Sequence, residues 1–368
     1  MKRMGGLRGM ATIKDVARLA RVSIATVSAT LNGTARVSDK RSKLVWDAVR
    51  RCGYTRHGVA RSLRIGHVRA IGLIVGDILN PFFTSLVKAV EARASEAGYI
   101  VILLNSDEDQ EKELNLVRVL MEHRVAGILL APSGHAAAYL STLATTVRIP
   151  LVLVDRQLPG NAYDAVVVNN HAAARMVTDY LVRLNHRRIA ILIGRQHLWT
   201  TEQRVRGYRE GLRAAGLPRH PELELIADSQ IETAYQVTQR VLSVPKPPTA
   251  IFAANNLMML GALEAIQDMG FDCPGSISLA GIDDFSWSSA IRPRLTTVSQ
   301  PIEEMGRLAV DRLLDRIAHR NATKRQAAKT IALEPRFLVR DSCAARKSPD
   351  RASPRNRGKR AAIKGKKP

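Results

Sequence analysis

From Thr12 to Gly33 the apolar residues Val16, Ala20, Val27 and Leu31 recur at helical spacing on either side of a short break, Ala20-Arg21-Val22-Ser23. Thr12 followed by Asp15 resembles a capping box with aspartate in place of the usual Glu or Gln. Ser23 can accept from the free N–H groups of a second helix, and Asn32-Gly33 supplies a left-handed stop after it. A third helix begins at Val37-Ser38-Asp39, carries Leu44, Val45, Ala48, Val49 and Cys52 as its apolar face, and ends at Gly53. Three such helices can close a small core, so residues 10–54 form a mini-domain whose first two helices read as a helix-turn-helix. Residues 55–68 then form a short basic linker, helical only conditionally, because Gly58 inside it costs a helix about 1 kcal/mol relative to alanine.

From Ala70 the texture changes. AIGLIV (70–75), YIVILL (99–104), VAGILLA (125–131) and IPLVLV (149–154) are short apolar runs, with amphipathic stretches of helical period near 82–97 and 110–123. The pattern repeats in AVVV (165–168), RIAILI (188–193), ELELIA (222–227), TAIFAA (249–254) and SISLAGI (276–282). Such alternation predicts an α/β fold of parallel strands covered by helices on both faces. Two successive units of similar size predict two lobes around a cleft over residues 69–340. Ligands in such sheets bind beyond the C-terminal ends of the strands. Asn80, Phe82 and Phe83 follow the first strand, Asp155 and Arg156 the fourth, Asn255 the strand IFAA and Asp283 the strand SISLAGI; Arg204 opens a helix and Gln300 lies in the crossover after LTTVS. Flat aromatic faces with carboxylate, guanidinium and amide groups suit the C–H surfaces and hydroxyls of a polyol.

Helix pairs of the first kind occur in many all-α proteins that never meet DNA, so the geometry alone does not decide its role. Charge does. The 368 residues carry 56 Lys or Arg against 33 Asp or Glu, a formal +23. Residues 1–64 hold 15 basic and 3 acidic side chains (+12), and residues 341–368 hold 10 and 2 (+8), which leaves +3 for the middle. A balanced centre between two cationic ends favours a nucleic-acid partner over a uniformly sticky surface. The stretch 341–368, rich in Lys, Arg, Pro and Ser without periodicity, is expected to be a disordered tail that aids solubility or touches phosphates.

Cys52, Cys273 and Cys343 are far apart in sequence, with no CxxC and no His pairing at metal-ligand spacing, so neither a disulfide framework nor a metal site is expected. The N-terminus lacks the apolar core of a signal peptide and no apolar run approaches a membrane span, so a cytoplasmic protein without membrane partners is expected. Met10 offers an alternative start. GxSxG, HExxH, GxxxxGK[ST] and a dinucleotide GxGxxG after a strand are all missing, which argues against an enzyme and against a cofactor. A transport-type sugar-binding protein would account for residues 65–340 but not for the basic reader.

The ordered set TIKDVARLARVSIATVSATLNG, VARSL (59–63), IGLIV…NPFF (71–83), IPLVLVDR (149–156), RVRGY (204–208), IFAANN (251–256), GIDD (281–284) and PRLTTVSQP (293–301) resembles the lactose-repressor (LacI/GalR) family of bacterial transcription regulators. The resemblance runs over about residues 10–340. It implies a homodimer with two N-terminal readers of a palindromic double-stranded operator, a hinge helix, and a two-lobed effector domain similar to periplasmic sugar-binding proteins. By the same resemblance the base-reading positions are Ile24, Ala25 and Ala29, all apolar here, able to touch the thymine methyl but not to pair bidentately with guanine or adenine. Thr26, Ser28 and backbone N–H groups at the helix start are expected to anchor phosphates and fix register, and Thr12, Ser23 and Asn32 complete the expected DNA-binding set. Val59, Ala60 and Leu63 would enter the minor groove, with Leu63 as the apolar wedge. The family often has proline near the hinge start; Arg56 and Gly58 stand there, so the hinge is expected to order only on DNA. The match to ribose- and hexose-binding relatives covers all nine cleft residues named above, which implies a monosaccharide or sugar-acid effector. Ser229 stands where some relatives place a stacking aromatic, which argues against a nucleobase. Asn256 and Asn169 replace residues that are often Asp. Most sugar-responsive relatives are released from DNA by their effector.

Overall fold

The structure, a computed structural model, describes residues 11–32, 35–54, 69–285, 288–320 and 327–346. The chain divides into two compact units, residues 1–68 and 69–368.

In the first unit three helices close on one small core: α1 (Ile13–Ala20), α2 (Ile24–Asn32) and α3 (Asp39–Cys52). Val16, Ala17, Ala20, Val27, Leu31, Val45 and Ala48 are buried together, with Ile13, Val22, Val49 and Cys52 packed around them. At the start of α1, Asp15 Oδ2 accepts from the Thr12 N–H at 3.0 Å and from its hydroxyl at 2.8 Å, so the carboxylate does the capping from both atoms. Arg21 ends the helix in the left-handed region (φ 54°), a sharp turn for a non-glycine residue. Ser23 Oγ then accepts from the Thr26 N–H at 3.1 Å and opens α2. Leu44 departs from the expected core face: it is 46% exposed while Val45 is fully buried. One residue is about 100° around a helix, and Val45 with Ala48 sets the stripe, which turns Leu44 outward. Gly33 lies outside the described residues, as do residues 55–68.

The second unit holds two sheets of six strands. The first contains β1 (Ala70–Val75), β2 (Ile100–Asn105), β3 (Gly127–Leu130), β4 (Leu151–Val154) and β5 (Asp164–Val168), with α4 (Pro81–Glu96), α5 (Gln110–Glu122) and α6 (Ala137–Thr146) between them. The second contains β6 (Ile189–Ile193), β7 (Glu224–Ile226), β8 (Ala250–Ala253) and β9 (Ser278–Ile282), with α7 (Asn170–Arg183), α8 (Trp199–Ala214), α9 (Ile231–Leu242) and α10 (Asn256–Asp268). Four later elements complete both: β10 (Thr296–Ser299), α11 (Ile302–Ala318), β11 (Thr330–Leu333) and β12 (Arg336–Leu338). The strand orders are β11-β5-β4-β3-β1-β2 and β12-β10-β9-β8-β6-β7. Among the described residues all strand pairings are parallel except β10 with β12. Each lobe is thus wound outward from one inner strand, β1 or β6, and reverses direction beside it. That reversal is where a doubly wound sheet leaves a crevice at its C-terminal edge.

Period-2 alternation builds the interior. Ile189, Ile191 and Ile193 join Phe252, Ile282 and Val298 beneath α7 and α8. Ala190 and Leu192 join Ile251, Ala253 and Leu279 beneath α9 and α10. In the first lobe the inner strands meet Phe82, Phe83, Leu86 and Val90 of α4 and Met305, Ala309, Val310 and Leu313 of α11. The chain therefore passes between lobes three times, at Asn169, at Gln300-Pro301 and at Glu334-Pro335. Two of those crossings are tied: Asn169 Nδ2 donates to Glu334 Oε1 at 3.2 Å.

The folded lobe also extends past the boundary expected at residue 340. Ser342 is fully buried, accepts from the Thr296 N–H at 2.8 Å and donates to the Leu279 carbonyl. Its own carbonyl accepts from the Leu279 N–H at 2.8 Å, and the Arg346 N–H donates to the Leu184 carbonyl at 2.8 Å. Residues 341–346 thus pack beside β9 instead of belonging to a disordered tail. His186 secures them from the other side, bridging Thr249 Oγ1 (2.9 Å) and the Ala344 carbonyl (3.2 Å). Residues 347–368 lie outside the described ones. Among the described residues no helix is long and apolar enough to cross a membrane, and no cluster of three or more His, Cys, Asp or Glu could hold a metal ion.

Candidate functional site

The start of α2 presents the candidate DNA-reading residues. Ile24 is 45% exposed. Thr12, Ser23 and Ala25 are exposed as well, whereas Thr26, Ser28 and Ala29 are half-buried. Thr26 is held from both ends: its Oγ1 lies 2.9 Å from Ser23 Oγ and its carbonyl accepts from Thr30 Oγ1 at 2.9 Å. The side chain of Asn32 and the hinge residues Val59, Ala60 and Leu63 lie outside the described residues.

The second constellation sits in the larger unit. Asn80, Phe82, Phe83, Asp155, Arg156, Arg204, Asn255, Asp283 and Gln300 all line one cavity between the C-terminal strand ends of the two lobes. The room inside it is small, about 70 Å³. Strand ends also supply residues that sequence reasoning missed: Asp77 after β1, Glu108 after β2, Arg195 after β6 and Asp228 after β7, and Ser229 beside it lines the cavity too. Thr200 and Thr201, at the start of α8, line it too.

Several polar wall residues are fixed by bonds to their neighbours. Asn80 caps α4, its Oδ1 accepting from the Phe82 N–H at 3.0 Å, and Asn255 caps α10 by accepting from the Met258 N–H at 2.8 Å. Asn256 donates across the cleft to Asn80 Oδ1 at 3.2 Å, which shows what an amide does in place of a carboxylate: it can bridge the lobes as a donor. Arg204 spends Nε on Asn170 Oδ1 (2.7 Å) and Nη1 on the Ala254 carbonyl (2.6 Å). Gln300 donates its amide to Asp283 Oδ1, and that orientation is forced because a carboxylate can only accept. Its Oε1 is then left buried without a partner. Arg156 Nε is a second buried orphan, 3.2 Å from Asp155 Oδ2 but out of line for a hydrogen bond. Both orphan atoms belong to residues that line the cavity.

Electrostatics and backbone strain concentrate here as well. Burial pushes the Asp155 carboxyl up to about 6, even though Arg156 and Arg204 pull the other way. Burial holds the Arg204 guanidinium below its ordinary value against the attraction of Asp283 and Asp155. Among the described residues nine non-glycine positions have positive φ, and five of them, Glu108, Asp155, Asp228, Ser229 and Asp283, line this cavity. Left-handed backbone costs such residues of order 1 kcal/mol each, so its clustering marks a site where aim outranks stability.

A helix-turn-helix with an exposed apolar start to its second helix, joined in one chain to a two-lobed sheet protein with a polar cleft, defines the class of ligand-responsive DNA-binding regulators. Residues 12–57 match the bacterial regulatory proteins of the lacI family, and residues 178–343 match the periplasmic binding protein-like domain. The HTH-type transcriptional repressor PurR of Aliivibrio fischeri (strain MJ11) is 34% identical over 335 residues, covering 90% of this chain and 98% of the relative. The chain belongs to the lacI family of bacterial transcription regulators. Its fold is similar to the lac repressor dimer bound to operator and the anti-inducer ONPF (TM-score 0.82, 26% identity, 92% of this chain and 100% of that one). It is also similar to a LacI family regulator from Enterococcus faecium with bound ribose (TM-score 0.65, 27% identity, 76% and 100%).

Proposed function

We propose that this chain is a transcriptional repressor that binds a palindromic operator as a homodimer and is released when a monosaccharide or sugar acid enters the cleft. One observation carries the effector half: all nine residues picked out by strand-end position and family pattern line one cavity. Phe82 and Phe83, with rings 5.2 Å apart and nearly perpendicular, offer one flat face and one edge to the C–H surface of a sugar ring. Asp155, Arg156, Arg204, Asn255, Asp283 and Gln300 share out its hydroxyls. The structures of relatives with operator and with ribose support both halves.

In the reader, Ile24, Ala25 and Ala29 contact base edges, while Thr12, Ser23, Thr26, Ser28 and Asn32 hold phosphates. Val59 and Ala60 of the hinge accompany Leu63, which wedges into the minor groove. Methyl contacts alone discriminate weakly, so much of the sequence preference comes from the bend at the hinge. A sugar shifts this equilibrium only by its preference for the closed lobes; moving it from 1:99 to 99:1 takes about 5.5 kcal/mol. The test is a thermal-shift screen of monosaccharides and sugar acids on the full chain. A true effector at 100 times its dissociation constant adds about 2.7 kcal/mol. Silence across the whole screen overturns the sugar reading.

A further inference from the structure

Glu108 lies outside the motifs that carry the family resemblance, yet it makes the tightest ion pair in the cleft. Its Oε2 accepts from Arg156 Nη1 and its Oε1 from Nη2, both at 2.6 Å, in the parallel fork that guanidinium and carboxylate favour. Both side chains are nearly buried, 5% exposed for Arg156 and 8% for Glu108. The Pro132 carbonyl takes a further bond from Nη1 at 3.1 Å. The fork a ligand carboxylate or phosphate would seek is therefore already filled from within the protein, and only Nε remains.

The surroundings are shaped for this pair. Asp107 and Glu108 are consecutive left-handed residues (φ 55° and 59°), a loop conformation that turns the Glu108 side chain back over the end of β1. Gly76, at that end, leaves the space: a Cβ there would fall 2.0 Å from Glu108 Oε1. The balance of the cavity follows the same sign. Three arginines line it against five carboxylates, so an anionic guest would meet a net negative wall at low dielectric.

We propose that Glu108 is a specificity-determining residue of this cleft: by occupying both Nη groups of Arg156 it makes the cavity select neutral polyols and refuse carboxylated or phosphorylated ones. The proposal rests on the reading of the cavity as the sugar site, and it narrows the effector class to uncharged sugars. A neutral hydroxyl can both donate and accept, whereas a carboxylate or phosphate group in its place can only accept.

The test pairs aldoses with their aldonates (ribose, xylose, arabinose, glucose, galactose and mannose, each against the corresponding acid) in thermal shift and calorimetry on the full-length protein. The expected result is that wild-type binding is confined to aldoses, with at least a hundredfold preference within the responding pair. Glu108→Gln should cut that preference at least tenfold, because the freed Nη groups regain an anion site. Gly76→Ala, which pushes the carboxylate off Arg156 without removing it, should move the ratio the same way. If Glu108→Gln does not fold, the wild-type comparison and Gly76→Ala still decide. An aldonate that binds wild type as well as its aldose overturns the role of Glu108 while leaving the sugar site standing. So does an unchanged ratio in both variants. No response from any pair in wild type or variants overturns the sugar site itself, and this proposal with it.

Discussion

Asp155 allows the link between cleft chemistry and stability to be worked through. Its carboxyl is pushed from the ordinary 3.8 up to about 6, with burial outweighing the pull of Arg156 and Arg204. A rise of that size corresponds to about 3 kcal/mol between the protonated and ionised forms. The folded carboxyl holds its proton more tightly than the unfolded one, so the favourable contribution is complete below 3.8 and is lost as pH rises through about 6. At neutral pH the ionised group therefore costs the fold stability. Asp155→Asn, of the same shape and uncharged, should raise stability at pH 7.5 by up to about 3 kcal/mol, a figure that already includes the pull of the two arginines. Because burial outweighs those arginines, the net sign should remain positive. Binding should run the other way. Sugar hydroxyls donate to the ionised carboxylate, so the effector should hold that form, and wild-type affinity should fall as pH drops through about 6, by at most tenfold per pH unit. Calorimetric titration of the responding sugar at pH 5, 6, 7 and 8, with denaturant melts of both proteins, measures both effects. A flat affinity profile in wild type, or the same slope in Asp155→Asn, would refute the reasoning.

Three further outcomes follow from named contacts. Glu113 is fully buried beneath donors from Ser133 and Tyr139, and burial pushes its carboxyl up to about 7 despite those bonds. Its contribution is lost as pH rises through 7, and Glu113→Gln should flatten the stability profile between pH 5 and 8, as pH-resolved urea melts would show. Leu31→Ala in the reader core should cost about 2–5 kcal/mol, a large share of what so small a unit can hold. It should abolish DNA retention in a gel shift while leaving the sugar-induced thermal shift of the larger unit intact. Ser23→Ala removes the cap of α2 and should cost about 1 kcal/mol, weakening operator binding in fluorescence anisotropy without changing which sequences are preferred.

Much of this architecture could be read from the chain because its signals are local. The helix-turn-helix rests on spacing that one turn of sequence reveals, and Val16, Ala20, Val27 and Leu31 are all buried. The first nine strands announce themselves as Val/Ile/Leu runs between amphipathic stretches. β11 and β12 do not. TIAL and RFL are too short for a period to show, and each is a strand only because a partner laid down far earlier, β5 or β10, waits for it. Residues 341–346 escape for a related reason: their composition is that of a tail, and only partners distant in sequence, among them Leu184, His186, Leu279 and Thr296, make them structure. The cleft residues are legible from strand ends, yet the same rule applied evenly also finds Asp77, Glu108 and Asp228. Sequence position locates a side chain but not its partner, so the Glu108–Arg156 fork is visible only in three dimensions. Leu44 shows the converse, an apolar residue assigned inward that the helix turns out.

The central claim is that one chain joins a DNA reader to a sugar clamp so that filling the clamp empties the reader. It is tested most directly by fluorescence anisotropy of a palindrome selected from pooled DNA, titrated with the full-length protein at fixed salt, with and without the sugar that shifts its melting. A rise in the operator Kd of at least tenfold, absent when Arg204 is replaced by Met, is the expected outcome. An operator Kd that stays the same while the sugar visibly saturates the cleft would contradict it.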